Sequence, residues 1–253
     1  MERQPVFDFH ARLPGAPGAL DRLLSVMDGS GIGRAGVAAG GVVDLDVLAR
    51  QLIEGGHVTS DPDNAGVRDA ARASGGRLTP FWFGNPHRGT ADYRALGGQF
   101  AALELSPAVH GVPLDDPRTA AFLDLAAEFG HPVYVVCVDR AGCRVSDLAA
   151  LAAKRPETVF VLGHLGIGLI DTYGIGLVEP ASNVVVETSG AFGFTVRVAI
   201  ERLGAERVLF SAEHPLQHPS VELAKYQALG LPQPLLHQVL WQNAHRILGL
   251  ESP

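Results

Sequence analysis

Cysteine is scarce: Cys137 and Cys143 are the only two in 253 residues, too few for a disulfide framework and not spaced as CxxC. That scarcity fits a reducing, cytoplasmic setting. Long apolar runs are lacking as well. Stretches such as Val133 to Val138 fall far short of the roughly 20 residues that a membrane-spanning helix needs, so no membrane partner is expected. Positive charge is in deficit, with 20 Lys plus Arg against 27 Asp plus Glu and a formal net charge of −7. A surface that tracks phosphates needs the opposite balance, so no nucleic-acid partner is expected either. The opening MERQPVFDFH mixes both signs of charge and shows neither the apolar region nor the small-residue cleavage site of a secretory signal. Tandem repeats, low-complexity tracts and an interdomain linker are also missing. What the chain does have is 47% apolar residues, enough to bury a large core, and it reads as one domain over residues 1–253.

Short β-branched and apolar runs alternate with segments of helical period, and Gly, Pro, Asp or Asn mark the boundaries. Candidate strands are Val6 to His10, Arg34 to Ala39, Leu78 to Phe83, Ala101 to Leu105, Val133 to Cys137, Val159 to Gly163, Val184 to Thr188 and Arg207 to Phe210. Several, such as VYVVC and VFVL, are almost wholly apolar, as strands covered on both faces of a parallel sheet should be. Apolar stripes at Leu20, Leu23, Leu24 and Met27, at Val47, Leu48, Leu52 and Ile53, and at Phe122, Leu125, Ala126 and Phe129 locate helices between them. Asp116 and Pro117 open the last of these, and Gly130 with Pro132 close it. Two more helices are expected around Ser220 to Ala228 and Pro234 to Leu248. Eight βα units in this length predict an α/β fold, a single (β/α)8 TIM barrel, with a doubly wound open sheet as the alternative. The barrel is preferred because ionisable residues gather just after strand ends, at His10, Arg12, His87, Arg88, Glu104, His110, Cys137, Asp139, His164, Glu187, Glu213 and His214. In a barrel they converge on one mouth.

Other motifs are absent or misplaced. Gly31, Gly33 and Gly36 satisfy GxGxxG but follow a helical segment and lead into a strand, the reverse of the dinucleotide-binding order. His214 and His218 have one-turn spacing, yet Pro215 lies between them and the Glu of HExxH is missing. No GxSxG elbow is present. Of the ten histidines, His10 and His164 stand out because each terminates an apolar strand, where a parallel barrel presents its working groups.

The segments FDFHAR, LELSPAVHGVPLDDP, HPVYVVC, VFVLGHLG, NVVVETSG, RVLFSAEHP and NAHRILGL, in this order and spacing, resemble the amidohydrolase superfamily, in its amidohydrolase-related branch of hydrolases, lactonases and decarboxylases. The resemblance spans nearly the whole chain and implies a TIM barrel that binds one or two divalent metals through a DxHxH motif, His residues ending the fifth and sixth strands and an Asp ending the eighth. This chain keeps His10 and His164 but has Arg12 for the second His, Cys137 at the fifth strand and Glu213 at the eighth. At the fourth strand Glu104 and Ser106 stand where the family has Lys and His. His10, Cys137, His164 and Glu213 are still chemically suited to zinc, so the expectation is either no cofactor or one divalent metal, zinc or manganese. Arg12 opposes the metal. A fixed cation two residues from His10 repels a divalent ion, and it would instead replace the metal's charge and pair with Glu213, Glu104 or a substrate carboxylate.

Glu213, His164 and His10 are the expected catalytic residues. Burial after VLF should raise the pKa of Glu213 toward that of a general base, the competing role being an ion pair with Arg12. His164 would stabilise an oxyanion or developing negative charge. Arg12, Glu104, His110 and Arg88 are the expected substrate contacts, and Arg140 is a further candidate clamp. For Arg88 and Arg140 a plain surface position competes. Asp8 would orient His10 or Arg12, or cap a layer of the barrel. Cys137 reads as a ligand, a nucleophile or a small buried apolar residue. The expected activity is hydrolysis of a lactone or amide-like bond in a small polar or carboxylate-bearing substrate, with a decarboxylase or cyclase, or a non-catalytic binding barrel, as alternatives. Leu235, Leu236, Val239, Leu240 and Trp241 would serve either a homodimer interface or packing against the barrel.

Overall fold

The computed structural model describes residues 5–168 and 170–250. Its strands run parallel and in sequence order: β1 (Phe7–Pro14), β2 (Arg34–Gly40), β3 (Leu78–Phe83), β4 (Ala102–Leu105), β5 (Val133–Val135), β6 (Phe160–Leu162), β7 (Val184–Glu187) and β8 (Val208–Leu209). The Phe9 N–H donates to the Phe210 carbonyl at 3.0 Å and the Glu213 N–H to the His10 carbonyl at 3.1 Å, which brings the end of β8 back to β1. The eight strands therefore form a nearly closed barrel, the expected (β/α)8 architecture.

Twelve helices surround it among the described residues: α1 (Ala19–Ser30), α2 (Leu45–Glu54), α3 (Asn64–Ala73), α4 (Ala91–Leu96), α5 (Pro107–His110), α6 (Pro117–Phe129), α7 (Val145–Lys154), α8 (Thr172–Val178), α9 (Gly193–Leu203), α10 (Pro219–Leu229), α11 (Gln233–His237) and α12 (Asn243–Ile247). At α6 the expected signals act as read: the Asp116 carboxylate accepts from the Arg118 N–H, Pro117 occupies the first turn, and Gly130 closes the helix at φ 69°. The helix expected over 234–248 is interrupted, because residues 238–242 form a wider turn between α11 and α12. None of the helices among the described residues is long and apolar enough to cross a membrane.

Strand parity divides the core in two. Ala102, Tyr134, Val161, Val185 and Leu209 point inward with Phe7, Phe9 and Phe81, while Leu103, Val133, Val135, Phe160, Leu162, Val184 and Val186 point outward under the helices. Gly36 of β2 lies inside, where a Cβ would sit 2.2 Å from the Phe9 carbonyl oxygen. Close strand contact thus requires glycine there, and the GxGxxG match has no other role. Trp241, Ala244, Ile247 and Leu248 join Phe7 in the inner cluster, and Leu235, Leu236, Val239 and Leu240 pack on the outer layer. Packing against the barrel, one of the two roles expected for this apolar segment, is present.

Candidate active site

β1 contains the device that builds the site. Its pairing with β2 slips between Asp8 and Ala11, so three steps of β1 oppose two of β2. A bulge of this kind re-aims side chains. Below it Phe7 and Phe9 fill the barrel; above it Ala11 and Leu13 belong to the outer core, and His10 and Arg12 meet partners from across the barrel. The buried Asp8 secures the kink by accepting the Ala212 N–H at 2.9 Å. Burial among few compensating charges pushes its pKa up to about 7.

Two carboxylates converge on His10 and Arg12. Glu104 stands two residues beyond Ala102 on the inward face of β4, and Glu213 follows β8. His10 Nδ1 lies 2.6 Å from Glu213 Oε2 and its Nε2 lies 3.1 Å from Glu104 Oε2. Arg12 grips Glu104 with both terminal nitrogens, at 2.9 and 2.7 Å, and donates from Nε to Glu213 Oε1 at 2.9 Å. Phe83 lies under the guanidinium at 5.3 Å, and Tyr134 stacks on the His10 ring at 4.1 Å. The expected pairing of Arg12 with Glu213 and Glu104 is therefore present in full.

The charges in this quartet sustain one another. Burial alone would deprotonate His10, but Glu213 and Glu104 outweigh it and raise its pKa to about 9. Burial alone would also protonate Glu213, yet His10 and Arg12 hold it well below the usual carboxylate range, and Arg12 and His10 do the same for Glu104 to a lesser degree. The rise expected for Glu213 from desolvation is thus reversed, because two cations stand within hydrogen-bonding distance. Glu213 adopts φ 53°, a left-handed conformation that costs a non-glycine residue energy and that the surrounding bonds must sustain.

A second polar arm rises from β6 and β7. His164, at φ 56°, turns out of the strand and leaves its side chain about 32% exposed. Its Nδ1 lies 2.9 Å from Ser189 Oγ, and Nε2 has no protein hydrogen-bond partner among the described residues. Behind it the buried Glu187 accepts from the Tyr134 hydroxyl at 2.8 Å, the His164 N–H at 3.0 Å and the Ser189 hydroxyl at 3.1 Å. Glu187 was visible in the sequence only as one more polar strand end, and Tyr134 and Ser189 carried no expectation at all. Parity was the available signal, since Glu187 shares the inward face of Val185.

Between the arms opens a cavity of about 300 Å³, lined by Arg12, His164, Glu213, Ser106 and a wall that includes Val42, Val43, Leu45, Leu48, Val109, Val136 and Leu216. Other expected residues lie outside this lining. Cys137 packs in the outer core with Val133 and Val135, and burial pushes its thiol far above the usual range. His110 is buried behind β4 with Nε2 3.2 Å from the Ser60 carbonyl. Arg88 is 64% exposed and pairs with Asp61 over a separate cavity of about 270 Å³ near α3 and α4. Arg140 donates to the Gln51 carbonyl. Among the described residues no group of three or more His, Cys, Asp or Glu is arranged to hold a metal ion. The donors expected for one do not converge: Cys137 faces away, and the Glu213 oxygens are turned on Arg12 and His10.

The amidohydrolase family model matches residues 15–250. A search of curated proteins finds no match. Among solved structures, an uncharacterised TIM-barrel protein from Bordetella bronchiseptica superposes with a TM-score of 0.75 at 17% identity, covering 97% of this chain and 98% of its own. A provisionally assigned 2-pyrone-4,6-dicarboxylic acid hydrolase from Pseudomonas putida gives 0.74 at 15% identity, with 99% and 100% covered. The 5-carboxyvanillate decarboxylase from Novosphingobium aromaticivorans, complexed with manganese and 4-hydroxy-3-methoxy-5-nitrobenzoic acid, gives 0.74 at 14% identity, with 97% and 96% covered. At these identities the likeness is one of fold.

Proposed function

Because the chain belongs to the amidohydrolase family, we propose that it is an enzyme acting on a small molecule at the barrel mouth, without a bound metal, and that His164 transfers the proton. One observation carries this reading. Of the three ionisable residues that line the cavity among the described residues, Arg12 and Glu213 are committed to each other and to their neighbours, whereas His164 keeps a ring nitrogen free of partners among those residues. The reaction put forward first is hydrolysis of a lactone or amide-like bond. His164 takes a proton from the water as its oxygen bonds to the carbonyl carbon, the one Arg12 Nη2 N–H not used by Glu104 receives the developing oxyanion, and His164 returns the proton to the leaving oxygen or nitrogen as its bond to carbon breaks. Glu213 and Glu104, each also bonded to His10, hold that guanidinium in place. Arg12 supplies the fixed positive charge that a metal would otherwise bring, and its contacts with both carboxylates leave no open donor set for one.

The apolar wall favours a second reading, decarboxylation. A carboxylate drawn from water into contact with Val42, Val43, Val109 and Val136 is poorly solvated, while the carbon dioxide that leaves is neutral. His164 would then deliver a proton to the carbon. The test is a panel of small lactones and aromatic carboxylic acids, assayed for ring opening and for carbon dioxide release with chelator-treated protein. His164→Gln is expected to lower turnover by about 100-fold or more while the fold is retained. Unchanged turnover in that variant removes the role of His164, and activity that disappears with chelation and returns with zinc or manganese removes the metal-free reading.

A further inference from the structure

Behind His164, three side chains share too few protons to be arranged freely. Ser189 Oγ lies 3.1 Å from Glu187 Oε2 and 2.9 Å from His164 Nδ1, and a serine hydroxyl has one hydrogen to give. Glu187 is surrounded by donors: Oε2 takes the Tyr134 O–H and the His164 N–H, and Oε1 takes the Ser189 N–H at 2.5 Å. If the serine proton turned toward His164, two oxygens would face each other without a hydrogen between them, in a site where Ser189 is 1% and Glu187 0% exposed. That arrangement leaves buried acceptors in mutual repulsion. The hydroxyl therefore donates to Glu187, and its remaining capacity is to accept from His164 Nδ1–H.

We infer that Glu187 and Ser189 are positioning residues that hold neutral His164 in its Nδ1–H form, so that the Nε2 lone pair faces the barrel mouth as a proton acceptor. The inference rests on the reading of His164 as the proton-transfer group and adds what sets its direction. When Nε2 takes a proton from water or substrate, Nδ1–H stays on Ser189 and the serine proton stays on Glu187. No second proton has to move. Glu187 also fixes the left-handed turn, because it accepts the backbone N–H of His164 itself. Through the Tyr134 hydroxyl it reaches the ring that stacks on His10, so the aim of His164 is mechanically tied to the charged quartet.

Long-range 1H–15N correlation of the imidazole rings in 15N-labelled protein, recorded across a pH series, distinguishes a protonated ring nitrogen from an unprotonated one and needs no substrate. The His164 signals are identified by their loss in His164→Gln. The expected pattern is a protonated Nδ1 and a bare Nε2. Ser189→Ala, which removes one hydroxyl, should shift the ratio toward Nε2–H by about tenfold, what a single hydrogen bond is worth. Glu187→Gln, whose amide can donate to Ser189 Oγ and turn the serine proton toward His164, should favour Nε2–H as well. If Glu187→Gln does not fold, Ser189→Ala decides alone. A wild-type ring protonated at Nε2, or a Ser189→Ala ring unchanged from wild type, overturns the inference. Failure of the catalytic reading appears separately, as unchanged turnover in His164→Gln.

Discussion

On the β1 and β8 side of the mouth, His10, Arg12, Glu104 and Glu213 face one another and have little capacity left, with side chains at most 13% exposed. On the β6 and β7 side, His164 is tied at Nδ1 and open at Nε2, about a third exposed. Both arms are built from groups that are costly to bury. The first offsets that cost by neutralising two carboxylates with two cations. The second does so with neutral hydrogen bonds that end at one buried carboxyl. A closed, charge-balanced cluster makes a rigid electrostatic pole but a poor proton acceptor, because its carboxylates are held ionised and its imidazole protonated. A half-open histidine has the opposite properties. Under the proposed function, work on substrate protons falls to the second arm and orientation of charge to the first.

The largest effect that separates the arms is on stability. Arg12→Met should cost about 3–5 kcal/mol, because it leaves Glu104 and Glu213 buried with His10 as their one remaining ion-pair partner among the described residues. His164→Gln should cost less than about 1 kcal/mol, since its side chain is partly in water. Urea denaturation of the two variants checks the pair. Equal losses would erase the distinction between a closed and an open arm.

Next in size is the dependence on pH. The raised pKa of His10, about 9, means that its contribution is complete below its unfolded value near 6.5 and is lost as pH rises through 9. Asp8, raised to about 7, works in the same direction: the folded state favours its protonated form, and that advantage is lost as pH rises from its unfolded value toward 7. Glu213 and Glu104 have lowered values, so their contribution is present above the ordinary carboxylate range and is lost as pH falls through it. Stability should peak in mildly acid solution, near pH 5, and decline toward pH 9. In Asp8→Asn the part of the decline below pH 7 should flatten while the part near 9 stays. Melting temperatures that rise between pH 5 and 9 would mean that the quartet is not charged as described.

Much of this was legible in the chain itself. The eight strands declared themselves as apolar runs, and α6 by its cap residues, because those signals are local. The pairing of Arg12 with two glutamates was open to reasoning since a permanent cation beside a strand-end histidine needs counter-ions. The bulge in β1 was not legible. It alters the parity of the strand after Phe9, and only the closure against β8 makes it necessary. The Tyr134–Glu187–Ser189–His164 chain was equally hidden, because its members come from β5, β6 and β7 and meet only through the barrel's register. For Cys137 the reading as a small buried apolar residue holds, and parity explains it: Cys137 lines up with Val133 and Val135, whereas the inward positions are Tyr134 and Val136, the latter lining the cavity.

That placement gives a smaller effect that sharpens the comparison. Cys137→Ala should cost about 1 kcal/mol through lost packing in the outer core and leave ligand binding at the mouth unchanged. Thermal melting and a binding isotherm for any substrate found in the panel check it. A variant that melts normally but loses binding would bring the thiol back into the site.

The smallest effect belongs to Arg88, expected from the sequence to clamp an acidic substrate. Its guanidinium is 64% exposed, its partner Asp61 is 57% exposed at 3.2 Å, and the cavity beside them lies near α3 and α4 rather than between the two arms. Solvent screens such a pair, so Arg88→Ala should change stability by less than about 0.5 kcal/mol. Binding at the mouth should be equally indifferent, since Arg12 is the one arginine among the described residues that lines that cavity. The informative measurement is the ratio of losses in Arg88→Ala and Arg12→Lys for the same acidic ligand. Arg12→Lys keeps the charge but gives up the two-pronged grip on Glu104. A large loss in Arg12→Lys with none in Arg88→Ala locates recognition at the closed arm, and the reverse moves it to the outer cavity.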